Sequence, residues 1–451
     1  MGPPEAGRTI ESGGLMVAAT TILAIIIVWS VCSAPLDRRG ITSALFLSAA
    51  GLVVGGSALG WLDISVESAT AERVAEIALV LLLFSDASRL DLRSLRQGFG
   101  WPSRLLFIGL PLTMIAGVGA GALAFPGMPL ASVVLLATML ASTDAALGQK
   151  VVTDPAVPAR VRQALDVESG LNDGLAVPFF LVALEIANAD LETQPAAAVV
   201  GNMAAQIGWG LTGGLVAGIA GGLLFRAAER RGWIGHEWRQ IVPLAVALAA
   251  YTIALALGGS GFIAAFVGGL AFGSVSGARG SIVTLLTEET GGFLAAVTWI
   301  GFGALMLTLA IPYLTWQVVL YAALSLTVVR MLPVAIAFAG ERVGRPTVAF
   351  LGWFGPRGLA SLVFVLLAVE RGIPDSEVVL TTVLVTVALS VVLHGLTSVP
   401  FVALYHRWYE GHAAEHPAAA ESAPATMSRR RRHFAERAPE PVAPADGGTP
   451  S

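Results

Sequence analysis

The chain has 451 residues, of which 55% are hydrophobic and 13% charged, with a formal net charge of −4. Its mean hydropathy is +0.75. Soluble domains carry roughly a quarter charged residues, so the composition excludes a soluble globular domain and indicates a polytopic membrane protein whose solvent is the lipid bilayer; no nucleic-acid partner is expected.

A span needs ~20 apolar residues. Thirteen candidate spans lie near 15–33, 41–62, 71–87, 103–125, 128–148, 161–187, 198–228, 240–257, 259–276, 288–310, 312–339, 346–370 and 377–406. The first, "LMVAATTILAIIIVWSVCS", is too long for the apolar core of a signal peptide and lacks a basic flank. Its Cys32 is the only cysteine and reads as a small apolar residue. The eighth and ninth spans are separated only by "GGSG", and the tenth and eleventh meet at Ile311-Pro312.

Arginine placement sets orientation. Odd-numbered loops are basic: "LDRRG", "SRLDLRSLRQ", "GQKVVTDPAVPARVRQ", "RAAERRGWIGHEWRQ" and "GERVGRP". Even-numbered loops are short or acidic, such as "DISVESATAE" and "NADLETQP". The N-terminus is therefore expected outside and the C-terminus in the cytoplasm. Residues 1–14 read as an external segment, 15–406 as the transmembrane domain and 407–451, rich in Ala, Pro and Ser, as a disordered cytoplasmic tail carrying "RRRRH" at 429–433.

Residue identity shows no internal repeat, but placement suggests one of six spans, a single spacer and six more. The fifth span carries "LASTDAALG" and the twelfth "GWFGPRGLAS". Interrupted segments at corresponding positions point to a transporter's binding site, and an odd spacer makes the two halves opposite in orientation.

In the fifth span, Asp144 follows a long apolar run. A charge at a helix centre costs ~2.5–3.5 kcal/mol. Two roles are open to it and can coexist: capping the stretch that follows, with Ser142 and Thr143, and binding a cation, with Thr143 supplying its hydroxyl and carbonyl oxygens. In the sixth span, "VESGLNDG" places Ser169, Asn172 and Asp173 within about 100° of one another on a helix. Glu168 lies at the edge of that stripe, and Asp166 two turns away on the same side. Pro178 is positioned to kink the helix. This face reads either as a polar patch between helices or as a hard-oxygen site for Na⁺, K⁺ or H⁺. Burial disfavours a carboxyl's charged form and a cation restores it, so Asp173 can hold a proton or a metal ion in turn.

In the eleventh span, Arg330 lies more than a turn from either end. It can snorkel to the surface or pair with a buried acid, Glu168 being the natural partner. Arg357 stands between the helix breakers Gly355 and Pro356 and Gly358. It can be a loop arginine, or can neutralise the carbonyl end of a half-helix. His394 in the last span reads as a packing residue, and Asp86 and Glu185 as interfacial. No phosphate loop, HExxH or nucleophile elbow appears, so no cofactor and no catalytic residue is expected, and the driving energy is an ion gradient.

Thr143-Asp144, Glu168-Ser169-x-x-Asn172-Asp173, Arg330 and "GPRG" at 355–358, in that order, resemble the monovalent cation:proton antiporter family, in its electroneutral sodium/proton exchanger branch. The resemblance covers about 15–406. It implies an all-α fold of two inverted six-helix repeats with crossed discontinuous helices. It also implies interleaved ion-carrying and dimerisation bundles, elevator-like alternating access and a homodimer in the cell membrane. It makes Asp173 the carrier of cation and proton, with Asp144, Thr143 and Ser169 helping to coordinate the ion. Asn172 is the neutral member where electrogenic relatives have a second Asp, and Arg330 pairs with Glu168. One departure is Ala145, where the family commonly has Pro. The expected function is exchange of Na⁺, K⁺ or Li⁺ for H⁺. A broken-helix transporter of an organic acid or other anion is the alternative, but needs convergent positive groups where acids crowd.

Overall fold

The computed structural model describes residues 6–55, 59–61, 69–90, 100–189, 196–277, 283–416 and 420–422. Among these, every regular element is helical. The helices are α1 (Ala6–Arg38), α2 (Ser43–Val54), α3 (Ala69–Ser88), α4 (Gly100–Ala124), α5 (Leu130–Met139), α6 (Ala145–Thr153), α7 (Ala159–Asn188) and α8 (Ala196–Arg230). Then come α9 (Trp238–Ala256), α10 (Gly261–Val275), α11 (Leu285–Ala310), α12 (Trp316–Ala337), α13 (Arg345–Trp353), α14 (Leu359–Glu370) and α15 (Ser376–Glu415). Seven of them are individually long and apolar enough to cross a membrane. Along α1, Met16, Leu23, Ile27 and Val31 lie exposed, an apolar face suited to lipid.

Short punctuation separates long apolar runs. At "GGSG", Leu257 ends α9, Gly258 takes φ +76° and Ser260 caps α10 by accepting from Ile263 N. The positive φ is cheap only for glycine, which makes two helices of one continuous apolar stretch. At Ile311-Pro312 a 3₁₀ turn intervenes, and Thr315 caps α12. Helix α7 runs through Pro178 without interruption.

Small residues let the bundle close. A Cβ on Gly214 or Gly218 of α8 would strike the backbone of Ala264 or Gly268 on α10. A Cβ on Gly269 of α10 would strike Phe84 on α3. Lipid offers no hydrophobic drive for helices to associate, so close backbone packing must supply it. Nearer the centre, the rings of Phe180 on α7 and Phe364 on α14 stack with centroids 4.4 Å apart.

Two expected boundaries move. The first helix starts at Ala6 rather than near residue 15. Helix α15 continues past 406 to Glu415, where His406 Nδ1 reaches Ala156 O at 2.9 Å. Ala420–Ser422 then returns to the body. Glu421, 1% exposed, accepts from Gly344 N at 2.8 Å and Thr347 Oγ1 at 2.9 Å, while Arg160 donates to Ala420 O at 2.8 Å. Residues 420–422 are thus docked, because a buried acid accepts the Gly344 amide and the Thr347 hydroxyl at the N-terminus of α13. The "RRRRH" stretch and residues 1–5 lie outside the described residues.

Candidate functional site

Two helix breaks cross at the centre of the protein. Residues 140–144 separate α5 from α6, and residues 354–358 separate α13 from α14. Each break leaves helix-end amides and carbonyls without intrahelical partners, and the two breaks satisfy one another. Asp144 N donates to Pro356 O at 2.7 Å. Asp144 Oδ1 accepts from Ala146 N at 2.8 Å and Leu147 N at 3.0 Å, and Oδ2 accepts from Leu359 N at 2.8 Å. One carboxylate therefore caps two half-helices, which explains how the fifth segment breaks with Ala145 in place of proline. A Cβ on Gly358 would overlap that carboxylate, so only glycine admits the approach.

Arg357 is fully buried and donates to Ala141 O at 2.6 Å and Ser142 O at 2.9 Å. It does serve a carbonyl end, but that of α5 across the crossing rather than that of its own half-helix. Ser361 on α14 donates to Met139 O at 2.7 Å, closing the same end. Among the described residues, Arg357 Nε and Nη2 have no hydrogen-bond partner.

Helix α7 lies against the crossing. Asn172, 1% exposed, donates from Nδ2 to Thr143 Oγ1 at 2.5 Å. Oδ1 of Asn172 and Oδ1 of Asp173 are buried and accept nothing from the described chain. Ser142 faces the Asp173 carboxyl, and Asp144, Asp86 and Arg357 act on it electrostatically. Glu168, one turn away, is held differently. Arg330 Nη1 lies 2.6 Å from its Oε1 and Nη2 2.8 Å from its Oε2, with both side chains almost wholly buried. Arg330 does not snorkel. Gly355 makes room for it, since a Cβ there would overlap the guanidinium.

The structure thus brings together Thr143, Asp144, Asn172, Asp173, Glu168, Arg330, Gly355, Pro356 and Arg357. Ser169 stands apart in its bonding, because its hydroxyl donates to Leu165 O of its own helix at 2.9 Å. Asp166 is exposed. Asp86 is half-buried and its side chain faces α7 at Gly170, where an added Cβ would sit 3.7 Å from Asp86 Cβ. Glu185 is engaged nearer the opposite end of α7, with Gln206 at 2.6 Å and Arg371 at 3.7 Å. Ser361 is the residue missed, although it closes the segment "GWFGPRGLAS"; Ser142, expected only as a cap, and Asp86, expected at the interface, also face the site. Asp86 interrupts the apolar run "LVLLLFSDAS", which was the available signal.

Crossed half-helices around buried acids, inside apolar segments, define a helical membrane transporter rather than an enzyme. Residues 21–404 match the family described as "Sodium/hydrogen exchanger, transmembrane". The chain belongs to that family. It is 26% identical over 373 residues to the low-affinity Na⁺/H⁺ antiporter NhaS1 of Synechocystis, covering 77% of this chain and 67% of that one. It is 24% identical over 385 residues to the K⁺/H⁺ antiporter NhaP2 of a Shewanella species, covering 81% of this chain and 63% of that one. The chain thus spans about two thirds of the length of these relatives. Its fold is similar to the sodium proton antiporter MjNhaP1 of Methanocaldococcus jannaschii, with TM-score 0.68 and 16% identity over 87% of this chain and 99% of that one.

Proposed function

We propose that the chain exchanges one monovalent cation, Na⁺ or K⁺ with Li⁺ also admissible, for one proton, and that Asp173 holds them alternately. The carrying observation is that Asp173 is the acid at the crossing without an assigned structural task. Glu168 is neutralised by Arg330, and Asp144 is occupied by three backbone amides. Asp173 instead keeps a buried oxygen with no partner from the described chain. Asp173 offers a single carboxylate, which one proton or one monovalent cation neutralises in turn, and that alternation favours one-for-one, electroneutral exchange.

Asn172 Oδ1, Thr143, the second lone pair of Asp144 Oδ2 and Ser169 are the further oxygens offered to the ion. Hard oxygen donors suit alkali cations, and a carboxylate serves a proton equally. The arginine pattern supports an external N-terminus and cytoplasmic C-terminus in the plasma membrane. Counting each broken pair as one segment supports thirteen spans, read as inverted six-span repeats that alternate access, in a homodimer. An anion or organic-acid carrier lacks support, since Arg330 is committed to Glu168 and the relatives matched are cation/proton antiporters.

The test is exchange in reconstituted vesicles. Na⁺ or K⁺ should dissipate an imposed pH gradient without generating a membrane potential, and Asp173→Asn should abolish this. Full exchange by Asp173→Asn would sink the assignment, and a potential that builds during exchange would sink electroneutrality.

A further inference from the structure

The break at 354–358 has two sides. One faces Asp144 and the carbonyls of Ala141 and Ser142. The other faces α15, which presents Ser390 and His394, four residues apart and therefore on one face. They are 0% and 2% exposed. Ser390 Oγ accepts Arg357 N–H at 2.7 Å and lies 3.2 Å from His394 Nδ1. His394 Nε2 lies 2.8 Å from Trp353 O. Trp353 ends one half-helix and Arg357 stands in the break, so the two residues of α15 grip the backbone at both margins of the interruption.

A carbonyl only accepts, and each ring nitrogen of His394 faces one: Nε2 lies 2.8 Å from Trp353 O and Nδ1 2.9 Å from Ser390 O. With the proton on Nε2 the ring donates across to Trp353 O and Nδ1 takes the Ser390 hydroxyl, whose oxygen accepts the Arg357 amide; this is the tautomer that spans the break. The neighbouring hydroxyls of α15 behave differently. Thr382, Thr386 and Thr397 donate to carbonyls four residues back on their own helix. Ser390 is turned outward, to another element. Thr397 also takes Trp353 Nε1 at 3.0 Å, and the Trp353 and His394 rings lie 5.3 Å apart, so α15 holds this tryptophan by main chain and side chain together.

We infer that Ser390 and His394 are positioning residues for the exchange: a bracket that fixes the span of the break and, through the Arg357 main chain, seats its guanidinium on the carbonyls beside Thr143 and Asp144. Neither touches the ion. A histidine that only filled space would require no bond to a backbone carbonyl of another helix and no hydroxyl partner bonded across the break. The inference rests on the antiport reading of the crossing.

The experiment compares wild type, His394→Gln, His394→Leu and Ser390→Ala. It measures kcat and KM for Na⁺ or K⁺ exchange in vesicles, and amide hydrogen exchange over 353–359 by mass spectrometry. Glutamine can still donate to Trp353 O, so His394→Gln should stay within about twofold of wild type. His394→Leu and Ser390→Ala leave buried backbone groups unpaired and should raise KM by about tenfold with a smaller change in kcat. The Arg357 amide should lose protection in Ser390→Ala. Wild-type KM in both disruptive variants overturns the inference, with or without lost protection. So does a defect in His394→Gln equal to that of His394→Leu. If His394→Leu fails to fold, Ser390→Ala and His394→Gln decide. A wild type inert to Na⁺ and K⁺ would fail the antiport reading instead, whereas unchanged protection of the Arg357 amide in Ser390→Ala would remove the bracket itself.

Discussion

Asp144 and Leu359 are 215 positions apart in sequence, yet the Asp144 carboxylate accepts the Leu359 amide at 2.8 Å while capping its own helix. One side chain therefore starts two half-helices and fixes the crossing on which the site is built. Each N-cap typically contributes about 0.5–2 kcal/mol. Replacing Asp144 by Ala should cost both caps, roughly 1–4 kcal/mol in sum, and lower the unfolding midpoint in detergent. Asn, which keeps one acceptor oxygen, should fall between. Thermal unfolding followed by tryptophan fluorescence checks the order, and an Ala variant as stable as wild type would contradict the double cap.

Glu168 and Arg330 form a buried, two-pronged ion pair. Breaking such a pair from one side typically costs about 3–5 kcal/mol because a charge is left unmatched, whereas replacing both partners can be nearly neutral. Glu168→Gln or Arg330→Met alone should sharply reduce the monodisperse folded yield. The double variant should recover much of it. Additive losses in size-exclusion yield would show that the pair is not coupled.

If Asp173 binds proton and cation by turns, the two compete for one carboxylate. Falling pH fills the site with protons, so the apparent KM for the cation should rise as pH falls, by up to about tenfold per pH unit where the protonated form dominates. Rising pH should lower it to a plateau. Maximal rate at saturating cation should change far less. Exchange rates across a pH and Na⁺ grid measure this, and a KM independent of pH would separate the two sites.

Glu421 fastens the segment after α15 to Gly344 and Thr347. Hydrogen bonds to a charged group contribute about 1.5–3 kcal/mol each. Glu421→Ala should release this segment, and limited proteolysis should then trim the chain back toward Glu415 several-fold faster. Unchanged trimming would show that the contact does not hold the tail.

Much of this was legible because membrane insertion penalises polar groups so heavily. Asp144, Asp173, Glu168, Arg330 and Arg357 stood out as charges inside apolar runs, and the Gly-Pro and Ser-Thr-Asp interruptions marked the breaks. The mutual satisfaction of the breaks was not legible, because it depends on backbone atoms whose partners lie far away in the chain. Asp86 looked interfacial because it sits near the end of α3, and only the seating of α3 against α7 turns it toward Gly170. His394 looked like packing because a lone histidine carries no sign of the carbonyl it will meet. The tail was read from composition, which averages away a single docked glutamate.

By itself, then, the amino-acid order determined the solvent, the all-helical class and the short roster of charges that lipid would not tolerate without a task. Hydropathy is local, and it can be summed along the chain. Which acid is neutralised, which is spent on capping and which keeps an oxygen free was decided only by the tertiary structure. Those assignments depend on distances of about 3 Å between groups that hydrogen-bond, and only the crossing of two broken helices against α7 sets them.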